Sequence, residues 1–305
     1  MFNFDNSMLE DVAKCSARAI AKHVLGRVGK GDKLEADVGN AGHAALEVHF
    51  GGGTIQEVLQ KFGEEYDKII PPGQIPDKAN LEKENCARVL QVYCENRRLD
   101  RFPFDILGME KMVGVEVEEG LKFWMKRDML VKEQQSGMVC PMDHKFRFGP
   151  ITEWWTKKFR MSSQFTGYIW GTGQSENVGC DRIYANVIGM GKIPQGTRKC
   201  RVHKVSYNEC WKFHVDMELL IFQRTQEQTE GWKRDMVSMA KRARALFAGY
   251  PSVEYLKYAP TEGVFNGSCV FCGMQKWCRM GFKENFMKEL TKESWWKPWE
   301  GEGND

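Results

Sequence analysis

The chain lacks any long apolar run. None approaches the ~20 residues that a membrane-spanning helix needs, and residues 1–7 are too polar for a secretory signal. An intracellular protein with no membrane partner is expected. Net charge is also scarce, +3 over 305 residues, so charge alone does not announce a nucleic-acid surface, although a local basic groove is compatible with it. No G-x-x-x-x-G-K-[ST] motif occurs, which excludes a nucleotide-driven motor of that type. The polar stretch 171–179 reads as a loop too poor in lysine to cradle phosphate. There is no internal repeat and no low-complexity linker. One domain over residues 1–299 is therefore expected, followed by a disordered acidic tail, 300–305. Charged residues make up 28% of the chain, as in globular proteins generally, and the length is ample for a core.

Cysteine is not scarce. Ten are many for a reducing compartment, where their spacing is better read as metal ligation than as a disulfide framework. Cys269, Cys272 and Cys278 crowd three thiols into ten residues, which implies a soft-metal site. Spacing alone fits zinc and an iron–sulfur cluster equally. Cys86, Cys94, Cys140, Cys180, Cys200 and Cys210 show no ligand spacing and read as buried small apolar groups. Cys15 is expected on a first helix that Ser7 caps, with Glu10 completing a capping box, and that ends near Gly26.

The stretch 108–168 carries the chemistry. It reads as three strands, 108–118, 121–133 and 138–146, with turn residues at Glu119-Gly120 and Gln135-Ser136-Gly137. A helix then opens at Gly149-Pro150 and carries Trp154, Trp155, Phe159, Phe165, Tyr168 and Ile169. Asp128 stands amid apolar neighbours, where an ionised carboxylate needs a partner. Asp143 and Lys145, two apart on a strand, share a face. Two carboxylates beside a lysine suit metal-assisted hydrolysis of a phosphodiester: oxygen ligands hold Mg2+ or Mn2+, and the ammonium serves the water or the developing charge. The same spacing also fits two unrelated strand-end aspartates and a solvated lysine.

Upstream, residues 27–37 read as a polar connector, and His43 and His49 fall on a second helix. Glu47, one turn beyond His43, is placed either to hold that imidazole or to face solvent. A third helix, 55–69, stops at Pro71-Pro72-Gly73, and another spans 79–98. Downstream, 181–190 and the basic stretch 198–207 read as strands. The latter suits either a DNA backbone or a charged sheet edge. Residues 215–247 read as mostly helix.

Asp128 followed by Asp143-His144-Lys145 resembles motifs II and III of the PD-(D/E)XK nuclease superfamily. Ala41-Gly42-His43-Ala44-Ala45-Leu46-Glu47 resembles the motif I helix of its RecB-like branch, and Gln164-Phe165-Thr166-Gly167-Tyr168 that branch's Q-x-x-x-Y motif. Cys15 with Cys269, Cys272 and Cys278 resembles the iron–sulfur clasp of the AddB nuclease domain and the CRISPR-associated iron–sulfur exonucleases; Ser16 stands where those usually have proline. The resemblance spans residues 7 to about 280. It implies an α/β fold with a restriction-endonuclease-like core over about 38–190: a central mixed sheet flanked by helices, with the terminal segments joined at a cysteine-ligated cluster. It also implies a metal-dependent DNA exonuclease of repair, recombination or processing. His43, Asp128, Asp143 and the His144 backbone carbonyl would bind Mg2+ or Mn2+, Lys145 would act on water and phosphate, and Gln164 and Tyr168 would position the strand. The four cysteines would hold a [4Fe–4S] cluster, with zinc as the alternative. A helicase or recombination protein would be the partner for strand opening. Such domains also occur as inactive DNA-binding scaffolds.

Overall fold

The structure is a computed structural model that describes the chain except residues 31–33, 75, 77, 296 and 301–305. The expectation for the tail beyond Glu300, and part of the connector 27–37, therefore lie outside the described residues. Among those described are strands β1 (Phe2–Asp5), β2 (Arg27–Gly29), β3 (Phe104–Glu118), β4 (Leu121–Glu133), β5 (Val139–Arg147), β6 (Arg182–Gly189), β7 (Asp216–Gln223) and β8 (Thr291–Glu293). The mixed sheet runs β1–β4–β5–β6–β7, with β3 paired along the other edge of β4. The β3–β4 hairpin turns at Glu119 and Gly120, where glycine takes φ +78°. On its far side β4 is shared: β1 lies parallel to Leu121–Trp124, and β5 lies antiparallel to residues 129–132. Strand β6 follows β5 in parallel, the arrangement that requires a crossover connection.

Helices cover both faces. On one side α3 (Leu34–Phe50), α4 (Ile55–Ile69) and α5 (Lys83–Asn96) bury Leu46, Phe62, Leu90 and Tyr93 against Met129, Met142, Tyr184 and Ile188. On the other, α1 (Asn6–Lys14), α7 (Ser163–Ser175) and α9 (Gln226–Gly249) pack Val12, Phe165, Ile169 and Met236 against Phe123, Met125 and Val187. A third cluster joins α2 (Ser16–His23) to the last part of the chain through Ile20, Leu256, Met274 and Trp277. Nearby, β2 and β8 pair antiparallel. This is the expected α/β core. Among the described residues no helix is long and apolar enough to cross a membrane.

Several local expectations are corrected. The first residues form β1, and Asp5 rather than Ser7 caps α1, accepting from the Met8 N–H at 2.7 Å. The expected single helix breaks at Cys15, which is extended (φ −168°, ψ 118°). The break is stabilised from the far end of the chain. Glu262 accepts from the Ser16 N–H and hydroxyl at 2.8 and 2.7 Å, and the Pro260 carbonyl accepts from the Ala17 N–H. The expected helix from Pro150 is two, α6 (Glu153–Lys157) and α7, because Thr152 and Ser162 each cap a separate start. Helix α7 continues to Ser175 through part of the expected loop. The helix expected from residue 79 is a 3-10 turn, Ala79–Leu81, followed by α5. Residues 198–207 form a tight turn with one bridge, Lys199 to Ser206, instead of a strand. A short helix α8 (Tyr207–Cys210) follows, and the start of the supposed long helix is β7.

Candidate active site

The ladder between β4 and β5 runs from Lys132 paired with Val139 to Met129 paired with Met142. The next pair would be Asp128 with Asp143, and there the strands part. Asp128 Oδ2 takes the place of a ladder acceptor, receiving the His144 N–H at 2.7 Å. Lys145 Nζ stands 2.8 Å from Asp143 Oδ2, so the shared face of the pleated strand is realised as an ion pair. From the other side α3 brings His43 Nδ1 to 3.4 Å from Asp128 Oδ2. Gly42 makes that approach possible: a Cβ there would come within 2.5 Å of the Phe146 ring. From α7, Gln164 Oε1 accepts from Lys145 at 3.3 Å and Gln164 Nε2 donates to the Tyr168 hydroxyl at 3.0 Å. Those six side chains, with Glu47 and Glu110, line one cleft of about 490 Å³.

Burial is the dominant electrostatic fact. It pushes the carboxyl of Asp143 up to about 6, against the pull of Lys145 and with a further push from Asp128. Asp128 is likewise lifted to about 6 by burial, opposed by Lys145 and the His144 N–H. Burial also works against the Lys145 ammonium, yet Asp143 and Asp128 outweigh it and keep the group charged. Burial holds His43 below the ordinary histidine range, leaving it neutral and able to ligate. Tyr168 is pushed well above the usual phenol range by burial and both aspartates, so it stays a hydroxyl.

One buried atom tests whether a cation fits. Asp143 Oδ2 has no well-directed hydrogen bond among the described residues, although the Lys145 ammonium touches it. A buried anionic oxygen with capacity left, near a second carboxylate and a neutral imidazole, makes a donor set whose hard carboxylate oxygens suit Mg2+ or Mn2+. A cation there would relieve the repulsion between the two aspartates. Glu110, which sequence reasoning missed, lies with His43 and Asp128, the three ligand atoms within 4.8 Å of one another, in a group that does not include Asp143. The His144 imidazole points away, stacked on Phe50 at 5.3 Å with Nδ1 2.8 Å from Asn186 Nδ2. His49 is a core histidine bonded to the Arg97 carbonyl at 2.9 Å.

A family model of the PD-(D/E)XK nuclease superfamily matches residues 6–279. The chain belongs to that superfamily. Among solved structures, a candidate exonuclease from Eubacterium rectale is similar at a TM-score of 0.48 and 15% identity, over 80% of this chain and 82% of that one. No curated protein matches the chain in sequence.

Away from the cleft of this PD-(D/E)XK chain, Cys15, Cys269, Cys272 and Cys278 line one cavity of about 270 Å³. Burial raises the thiols of Cys269 and Cys278, and the neighbouring thiols raise them further. The distant N-terminal cysteine and the trio are thus brought together. Cys86, Cys94 and Cys140 are buried as expected, while Cys180 is half-buried. Cys200 and Cys210 are buried too, but the reading of them as plain apolar groups is corrected: each sulfur touches a histidine nitrogen.

Proposed function

We propose that this chain is a metal-dependent deoxyribonuclease, an exonuclease hydrolysing phosphodiester bonds on single strands or at duplex ends. The observation that carries the reading is the meeting of Asp128, Asp143, His43 and Lys145 in one cleft. Asp128, Asp143 and His43 would hold Mg2+ or Mn2+. The His144 carbonyl is a further ligand in this reading: in an extended strand a residue's C=O leaves on the same side as its N–H, and the His144 N–H meets Asp128. The bound ion supplies Lewis acidity at the phosphate and a more acidic water. Lys145 offsets charge building on the phosphate oxygens and orients the attacking water. Gln164, held between Lys145 and Tyr168, fixes the direction of the ammonium, and the Tyr168 ring and hydroxyl orient the strand. DNA is the substrate and a helicase or recombination protein the natural source of opened strands, in repair or recombination. Residues 1–299 act as one domain in this reading.

The cysteine cavity fits a [4Fe–4S] cluster of the RecB-like kind better than a single zinc. Four thiolates on one zinc would stand about 3.8 Å apart. No three of these sulfurs lie within 4.8 Å of one another. A four-iron cube, taking one thiolate at each corner, spreads its ligands more widely. The test of function is a timed digestion of end-labelled single- and double-stranded DNA with Mn2+, Mg2+ or chelator. Metal-stimulated release of nucleotides from an end supports the reading. Binding without cleavage under every metal would make the chain a DNA-binding scaffold instead.

A further inference from the structure

The connection between β6 and β7, from Met190 to Val215, carries one short helix, α8, and a 3-10 turn, Trp211–His214. Its ends are anchored in the core, Met190 and Ile193 being buried there and Trp211 and Val215 packed against it, whereas Val202 and Phe213 between them are mostly exposed. Two local structures shape that middle. The first is a tight turn: Lys199 bridges Ser206, the Cys200 N–H donates to the Val205 carbonyl at 2.7 Å, and the Lys204 N–H donates to the Cys200 carbonyl at 2.9 Å. Lys204 takes φ +62° to close it. This presents Cys200 and His203. The second is one helical stretch, α8 capped by Ser206 and Glu209 and continued by a 3-10 turn, which places Cys210 and His214 a turn apart.

The four side chains converge. Cys200 Sγ lies 3.5 Å from His203 Nδ1 and 3.6 Å from His214 Nε2, and Cys210 Sγ lies 3.4 Å from the same His214 Nε2. All four ligand atoms are within 4.8 Å of one another. Hydrogen bonding accounts for this poorly, because two thiols converge on one ring nitrogen that has a single lone pair or a single proton. A tetrahedral ion accounts for it directly. With Zn–S near 2.3 Å and Zn–N near 2.0–2.1 Å, the sulfur–nitrogen edge of a tetrahedron is about 3.6 Å. Cys200 Sγ also receives the backbone N–H groups of His203 and Val202, the outer contacts that orient a thiolate ligand. Both sulfurs are buried, Cys200 at 2% and Cys210 at 0% exposure. The pattern, Cys-x2-His then Cys-x3-His, gives two short-spaced ligand pairs, one in a turn and one on a helical stretch.

We propose that Cys200, His203, Cys210 and His214 hold a structural Zn2+ that folds the β6–β7 connection. It is distinct from both the carboxylate cleft and the Cys15 cavity. The mixed nitrogen and sulfur donors favour zinc over the Mg2+ or Mn2+ of the cleft, and with four protein ligands the site has no open position for chemistry. Binding would tie the exposed middle of the segment, between its core-anchored ends, to one fixed shape.

Zinc per chain in the full-length protein, measured by elemental analysis, tests this against the Cys15 cavity. Cys15→Ser should retain one zinc, whereas Cys210→Ser and His214→Ala should each lose it. Should those variants fail to fold, Cys15→Ser answers alone. Stripping the metal and adding Co2+ should produce the intense visible bands of tetrahedral cobalt with thiolate ligands, in Cys15→Ser as well. Trypsin should cut at Arg201 or Lys204 faster after stripping, and re-added Zn2+ should restore protection. The proposal is overturned if Cys15→Ser holds neither zinc nor tetrahedral cobalt, or if samples alkylated without prior reduction show Cys200 and Cys210 joined as a disulfide.

Discussion

Glu110 faces Asp128 across the β3–β4 hairpin, between the registered pairs Met109–Met129 and Lys111–Arg127, and it does so at φ +47°. A non-glycine residue in the left-handed region carries about 1–3 kcal/mol of strain, which persists where surrounding structure imposes it and often marks a functional site. Here the strained residue turns its carboxylate toward His43 and Asp128, with Lys126 as ion-pair partner. Glu110→Gln keeps the shape and removes the charge. Mn2+ affinity, measured by calorimetry on metal-free protein, should weaken about tenfold, the lower end of what removing a metal-site partner costs. An unchanged affinity removes Glu110 from the metal set.

Asp143→Asn should abolish metal-dependent cleavage and leave DNA binding nearly intact, because affinity for DNA comes mostly from phosphate contacts made by basic and polar groups and not by a carboxylate. Lys145→Ala should slow cleavage about 10²–10³-fold, the scale of losing one preorganised charge in a dry site, while metal affinity persists. Gel-shift and single-turnover digestion on the same preparations separate the two effects. Full activity in Asp143→Asn would refute the assignment.

Acidity provides a second handle. Asp128 and Asp143 have folded values near 6, above the ordinary 3.8. Their contribution to stability without metal is present below about 3.8 and lost as pH rises through about 6. A cation needs them ionised, so its stabilising effect runs the other way. The rise in melting temperature on adding Mn2+ should be small at pH 5, grow through pH 6 and level off above pH 7. Lys145, Lys126, Glu110 and His43 face the same pair and broaden the transition. A metal-induced shift independent of pH between 5 and 7.5 would contradict this.

Protein purified without oxygen should be brown and contain iron and inorganic sulfide. Cys15→Ser should lose that colour and melt several degrees lower, since cluster binding is coupled to folding. Ser16→Pro should keep the helical start but lose the N–H and hydroxyl bonds to Glu262, costing about 1–3 kcal/mol. Colourless anaerobic protein whose Cys15-dependent metal is zinc would set aside the iron–sulfur reading and leave the nuclease reading standing.

The parts legible in the sequence were those fixed by short-range geometry. Asp143 and Lys145 share a face because strands alternate, and Gln164 and Tyr168 meet because helices repeat near four residues. Glu110 was not legible, since the irregularity at Val117 shifts the hairpin register by one; without it Lys111 would oppose Asp128. The break at Cys15 depends on Glu262, a partner more than two hundred residues away. Cys200 and Cys210 looked unrelated because their companions are histidines, one in a turn and one on a helical stretch.

The joining of Cys15 to the segment 269–278, with β2 against β8 beside it, has a consequence for the order of synthesis. Every side chain that lines the cleft has been made once Tyr168 is added, and its sheet neighbour β6 follows soon after, well before the segment 269–278. Cys15 then waits until Cys278 emerges, on the order of tens of seconds at ~5–20 residues per second. Throughout that interval the first thiol has no companion and must be kept reduced and free of stray metal. If the four cysteines take up a metal group as proposed, it can be delivered only to a chain already translated past Cys278.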